Sequence, residues 1–151
     1  MIIGILFIAL AFFACIYGII AGERDGRIAA LLFVAATVAS YFADTLSPWV
    51  SLVFGIFLVD VILLAGLYWL ALSSRYFWPL WACGIHSVAV ITHMASLIAP
   101  SFLPEVYQMI QGFWAIPTLL SMVIGIWLTR SRGASGYENR LSSKARVPLD
   151  R

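Results

Sequence analysis

Charge is the scarcest material in this sequence. Asp, Glu, Lys and Arg make up 11% of its 151 residues, against about a quarter in a soluble globular domain. That shortage excludes a domain whose whole outer surface faces water. Cysteine is nearly missing too: Cys15 and Cys83 are the only two, each inside an apolar run and neither in a C-x-x-C pair. A disulfide framework and a structural zinc site are therefore excluded, and both residues read as small buried apolar groups. Also missing are H-E-x-x-H, a Gly-rich phosphate loop, a Ser-His-Asp spacing and paired carboxylates. The outer carboxylates Asp44 and Glu105 fall in different loops with no nucleophile beside them, so catalysis is not expected.

What is present is apolar. Hydrophobic residues reach 63% and aromatic residues 15%, and the mean hydropathy is +1.00. This is the composition of an integral membrane protein. A transmembrane helix takes roughly 20 mostly apolar residues, so the length holds five or six spans and leaves no room for a second domain.

Five segments fit: residues 1–21, 28–46, 49–72, 79–99 and 105–129. Between them lie the hydrophilic stretch Gly22 to Arg27, the turn Ser47-Pro48, the stretch Ser73 to Trp78, and Pro100 to Pro104. Pro79 suits a first helical turn, where its missing N–H is no loss; Pro100 and Pro104 bracket a stop and a restart. A four-span alternative with one interfacial segment turns on the tight reversal between Leu46 and Trp49. The first segment has no basic n-region and too long an apolar run for a secretory signal, so it reads as a retained helix.

All nine basic residues fall on one predicted side. Arg24 and Arg27 lie in the first loop, Arg75 in the third, and six more in the tail 130–151. The positive-inside rule then places the N-terminus outside and the tail in the cytoplasm, in a bacterial-type inner membrane. The expected class is an all-α, multi-pass membrane protein followed by a basic, disordered tail. The tail's charge could meet anionic lipid or a cytoplasmic partner, though topology alone accounts for it. With only Tyr137 available for stacking, nucleic acid is not an expected partner.

Trp49 and Tyr41 near the outer ends, and Trp69, Trp78, Trp81 and Trp127 near the inner ends, read as interfacial anchors. Without a hydrophobic drive in lipid, helix packing should rest on small residues. Ala35, Ala39 and Ala43 form such a stripe on the second helix, and Gly18 with Gly22 forms a G-x-x-x-G suited to packing within the chain.

Asp60, at the midpoint of the third segment, is the one charged residue in the interior of a span, away from its ends. An acidic side chain there costs about 3 kcal/mol on insertion scales and should face a partner on another helix. At 1.5 Å rise per residue, Asp60 sits roughly 18 Å above the inner level, His93 roughly 21 Å and His86 about 10 Å. Ser40 and Gln111 also arrive near ~21 Å, so Ser40, Asp60, His93 and Gln111 form a candidate polar layer. His86, Thr118 and Ser121 form a secondary polar path toward the inner side. Pro117 removes one backbone bond near the middle of the fifth helix, a candidate kink, with Trp114 close by.

Two histidines seven residues apart on one helix face cannot both ligate one haem, and a metal held by Asp60 and His93 lacks a third ligand. No cofactor or metal is expected. The layer can be interhelical glue or a proton or ion relay. The expected role is a non-enzymatic membrane component that packs against partner helices, copies of itself or lipid. A small proton- or ion-coupled channel or transporter is the alternative, and a holin-like pore former a third.

Overall fold

The structure, a computed structural model, describes residues 2–46, 49–98 and 113–132, with side chains for 8–43, 54–95, 97–98 and 113–132. The chain is all-α, and there is no strand among the described residues. Its helices are α1 (Ile2–Ala21), α2 (Arg24–Leu46), α3 (Trp49–Ser73), α4 (Trp78–Ile98) and α5, helical over its described residues Phe113–Arg132. Among the described residues three stretches are long and apolar enough to cross a membrane, Arg24–Ala43, Phe54–Ser73 and Phe113–Arg132; the apolar part of α1, Ile8–Ala21, is shorter. The residues 99–112 and 133–151, and with them Gln111, Pro100, Pro104, Glu105 and Tyr137, lie outside the described residues, as do Ser47, Pro48 and the side chains of Trp49 and Asp44.

Consecutive helices are neighbours: α1 packs on α2, α2 on α3 and α3 on α4. The core joins Ala14 of α1, Ala29, Ala30 and Phe33 of α2, Leu63, Leu67 and Leu70 of α3, and Leu119, Met122 and Ile126 of α5. Its alanines and glycines let backbones approach closely, the way helices gain contact where burial from lipid brings no hydrophobic advantage. Gly18 and Gly22 serve contacts inside the chain: a Cβ on Gly18 would stand 3.1 Å from the Ala30 Cβ and 3.5 Å from the Met122 Cε.

The first connection is tighter than the charged run Gly22 to Arg27 implies. α2 begins at Arg24 rather than Ile28, because the Glu23 carbonyl already accepts a hydrogen bond from Arg27 N–H at 3.1 Å. Asp25 then sits in the first turn, where its negative charge suits the helix N-terminus. The far end of α5 shows a second difference. Arg130 to Arg132 continue the helix rather than starting the tail, with Thr129 Oγ1 donating to the Gly125 carbonyl at 2.8 Å and Ser131 Oγ to the Leu128 carbonyl at 3.1 Å. Basic side chains there complement the helix C-terminus.

Two faces differ from expectation. Ala35 and Ala39 are exposed, and the buried side of α2 is Ala29, Ala30 and Phe33 instead. Trp78 is buried, 7% exposed, whereas Trp69, Trp81, Trp127 and Tyr41 are exposed as anchors would be. The cause is Gly125 on α5, whose missing side chain is the space that Trp78 Cβ and Cγ occupy.

One end of the molecule is polar. Ser74 Oγ donates to Asp25 Oδ2 at 2.7 Å, Tyr76 N–H to Ser74 Oγ at 3.0 Å, and Tyr76 O–H to Glu23 Oε2 at 2.9 Å. These bonds tie the α1–α2 turn to the α3–α4 turn. The Glu23 hydrogen bond raises the Tyr76 phenol pKa above its usual value, and burial adds in the same direction. Arg130 and Arg132 at the end of α5 lie beside these turns, where each lines a cavity together with Tyr76. Arg24, Arg27, Arg75, Arg130 and Arg132 thus gather at one end.

Candidate functional site: an aspartate between two histidines

Asp60 forms on α3 because its surroundings in the chain, Leu58-Val59-Asp60-Val61-Ile62, propagate a helix in which every backbone group is already paired. Its carboxylate can find no polar partner on that helix and must reach across. It does so toward α4. Asp60 Oδ2 lies 2.8 Å from His93 Nε2, and Asp60 Oδ1 lies 3.8 Å from His86 Nε2. Both histidines are buried, 4% exposed for His86 and 5% for His93.

His86 makes its close contact with the backbone. Its Nε2 stands 3.2 Å from the Asp60 carbonyl oxygen, and because a carbonyl only accepts, Nε2 carries the hydrogen. Asp60 therefore serves two histidines through two different oxygens. Helix geometry explains the division: carbonyls point toward a helix's C-terminus while side chains lean toward its N-terminus. On α3, which runs antiparallel to α4, the carbonyl faces the His86 level and the carboxylate faces the His93 level. The seven-residue spacing of the histidines puts them on nearly one face, two turns apart, so both meet the same residue.

Depth arithmetic along the chain pairs Asp60 with His93 and places His86 too low, in a separate inward path. The pairing with His93 is what the structure shows. His86 belongs to the same site, and the signal for it was present: Asp60 falls between the two histidine levels, and a main-chain oxygen can accept where a side chain does not reach.

Of the remaining predicted residues, those described are not bonded to this trio. Ser40 on α2 is half-buried, and among the described residues no hydrogen bond links it to Asp60 or either histidine. Gln111 lies outside the described residues. Thr118 is fully buried, but its hydroxyl donates to the Trp114 carbonyl at 2.8 Å, and Ser121 donates to the Thr118 carbonyl at 2.7 Å. Both hydroxyls thus donate to their own helix, and among the described residues no hydrogen bond links them to His86. Thr37, Ser87 and Thr92 behave likewise, each bonded four residues back. The helix passes Pro117 without interruption from Phe113 onward, and the Trp114 ring packs edge-on against Phe113 at 5.7 Å between centroids.

Chemically, a proton shared between Asp60 Oδ2 and His93 Nε2 can sit on either partner, giving an ion pair or a neutral pair. Among the described residues no trio of His, Cys, Asp or Glu is placed to hold a metal ion. Cys15 and Cys83 are both buried with free thiols, in line with their reading as core residues. No protein-family model, no curated protein and no solved structure matches the chain.

Proposed function

We propose that this is a non-enzymatic integral membrane protein of five spans, with its N-terminus outside and its C-terminus in the cytoplasm of a bacterial-type inner membrane. It acts as an accessory component by packing against partner helices or lipid. The observation that carries this reading is the outer surface. Large apolar side chains stand exposed on all five helices, among them Ile20 at 76%, Leu31 at 62%, Ile62 at 62%, Ile98 at 77% and Ile124 at 51%. Patches of that extent are a contact surface for lipid or protein, while the hydroxyls of Thr37, Ser87, Thr92, Thr118 and Ser121 donate within their own helices. The end that gathers the arginines is, on this reading, the cytoplasmic end. Purification of the full chain in a mild detergent should recover a stoichiometric membrane-protein partner. A lone monomer from its native membrane would overturn the accessory role.

A second reading is favoured by one observation: a single aspartate meets two buried histidines about 10 Å apart along α4. Glue needs one partner, whereas two histidines on one aspartate give a proton two places to go. On this reading the protein is a small proton-coupled channel or transporter. Parent protein in liposomes should then dissipate an imposed pH gradient, and Asp60→Asn should abolish the flux. No flux from the parent sinks the idea, and flux that survives the substitution removes Asp60 as its carrier.

A further inference from the structure

A cavity of about 580 Å³ opens at the arginine-rich end, between the start of α4 and the last turns of α5. Its walls combine two kinds of surface. Arg75, from the α3–α4 turn, and Arg132, from the end of α5, line it together with Trp81, Ile85, Ile124 and Leu128. Among its described lining residues none is a carboxylate, although Glu23 and Asp25 stand in the neighbouring turn of the same end. Positive charge is thus confined to one end of an otherwise mostly apolar groove. From Arg132 to Ser121, its deepest contributor on α5, the helix rises roughly 16 Å, about half the thickness of a hydrocarbon core. Indole rings at this level, Trp81 among them at 69% exposure, suit the boundary between headgroup and acyl chain.

The volume lies in the range of ligand pockets, roughly 300 to 1,000 Å³. A soluble anion would use the arginines and leave the apolar wall unused. A zwitterionic lipid would bring its own cation to the arginines. The molecule that uses both surfaces has an acyl chain and a net negative head.

We infer that this groove is a binding site for one anionic phospholipid, its phosphate against Arg75 and Arg132 and an acyl chain along Ile85, Ile124 and Leu128. The inference rests on the membrane reading above and deepens it by naming the lipid class. Guanidinium groups suit the head because their planar donors match a phosphate bidentately.

Native mass spectrometry of the full chain in a maltoside detergent, titrated with dioleoylphosphatidylglycerol or dioleoylphosphatidylcholine, tests it. The glycerol lipid should bind about tenfold or more tightly than the choline lipid. Arg75→Gln and Arg132→Gln should each weaken it about fivefold, and the pair together about 25-fold. The Arg75→Lys/Arg132→Lys variant should recover most of the affinity, which separates lost charge from lost fold. Lys144→Gln/Arg146→Gln in the tail should leave it unchanged.

Equal binding of the two lipids would overturn the site, as would parent-like affinity in the double glutamine variant. A loss on the tail substitutions as large as that on the groove would move the binding to the tail. Competition by millimolar inorganic phosphate would show that the acyl chain is not recognised. Alkaline carbonate extraction of membranes keeps the two levels apart: release of the protein sinks the membrane reading, while retention with no lipid preference sinks only the groove.

Discussion

His93→Ala should lower the stability of the folded protein by about 3 kcal/mol, measured by reversible unfolding in mixed detergent micelles. The magnitude comes from the partner it deserts. Asp60 holds its carboxylate 2.8 Å from His93 Nε2 in the seam between α3 and α4, and breaking a buried pair by removing one member costs about 3 to 5 kcal/mol. At helix centre an acidic group is itself disfavoured by about 3 kcal/mol. Water reaching the site would soften both figures, since the Asp60 side chain is 18% exposed. His86→Ala should cost less, about 1 kcal/mol, since its close hydrogen bond is with a backbone carbonyl. Replacing both members of the pair, Asp60→Leu with His93→Leu, should be milder than His93→Ala alone, because an apolar pair leaves no charge stranded. The coupling in that double-mutant cycle is expected at 1 to 3 kcal/mol. Additive single effects, or a His93→Ala protein within ~0.5 kcal/mol of the parent, would show that the pair does not hold the helices together.

Why this pair was legible while its surroundings were not follows from what a membrane helix encodes. Asp60 is conspicuous because it is the one charge near the middle of an apolar segment, and depth is a simple function of residue count, so its match with His93 follows from 1.5 Å steps. Helix starts at Trp49 and ends at Ala21 and Leu46 were equally legible, since prolines and charges interrupt apolar runs there. Rotation is another matter. A soluble helix marks its inner face by polarity on the outer one, but here leucines and isoleucines cover both, and the helix carries little sign of which side turns inward. That is why Ala35 and Ala39 passed for a packing stripe while Ala29 and Ala30 are the buried pair. Trp78 hid for a related reason. Its burial depends on Gly125, 47 positions away in sequence, and no local pattern links the two. Ser40 matches the pair in residue count along its helix, yet among the described residues no hydrogen bond joins it to them, and a residue count carries no information on rotation about the helix axis.

The turn between α1 and α2 yields the other large expected effect: Gly22→Ala should destabilise the protein by about 3 kcal/mol or more. A Cβ at Gly22 would press on the Gly18 carbonyl oxygen and stand 2.8 Å from the Gly26 Cα and 3.1 Å from its carbonyl carbon. All three are backbone atoms, so no rotamer change relieves the clash; the two helices must separate. That separation would also pull Glu23 and Asp25 away from Tyr76 and Ser74, whose hydrogen bonds at 2.9 and 2.7 Å join the two turns. Neighbouring glycines set the scale. Gly18→Ala meets the Ala30 Cβ and the Gly26 carbonyl oxygen, both at 3.1 Å, and should cost less. Gly26→Ala meets chiefly the tip of Ile126 at 3.0 Å, a flexible end that can move, and should cost least, about 1 kcal/mol. The order Gly22 above Gly18 above Gly26 is the measurable content. A Gly26→Ala protein less stable than Gly22→Ala would contradict a turn closed on its own backbone. Lost dimerisation with unchanged monomer stability in Gly22→Ala would instead assign Gly18 and Gly22 to contact between two copies of the chain.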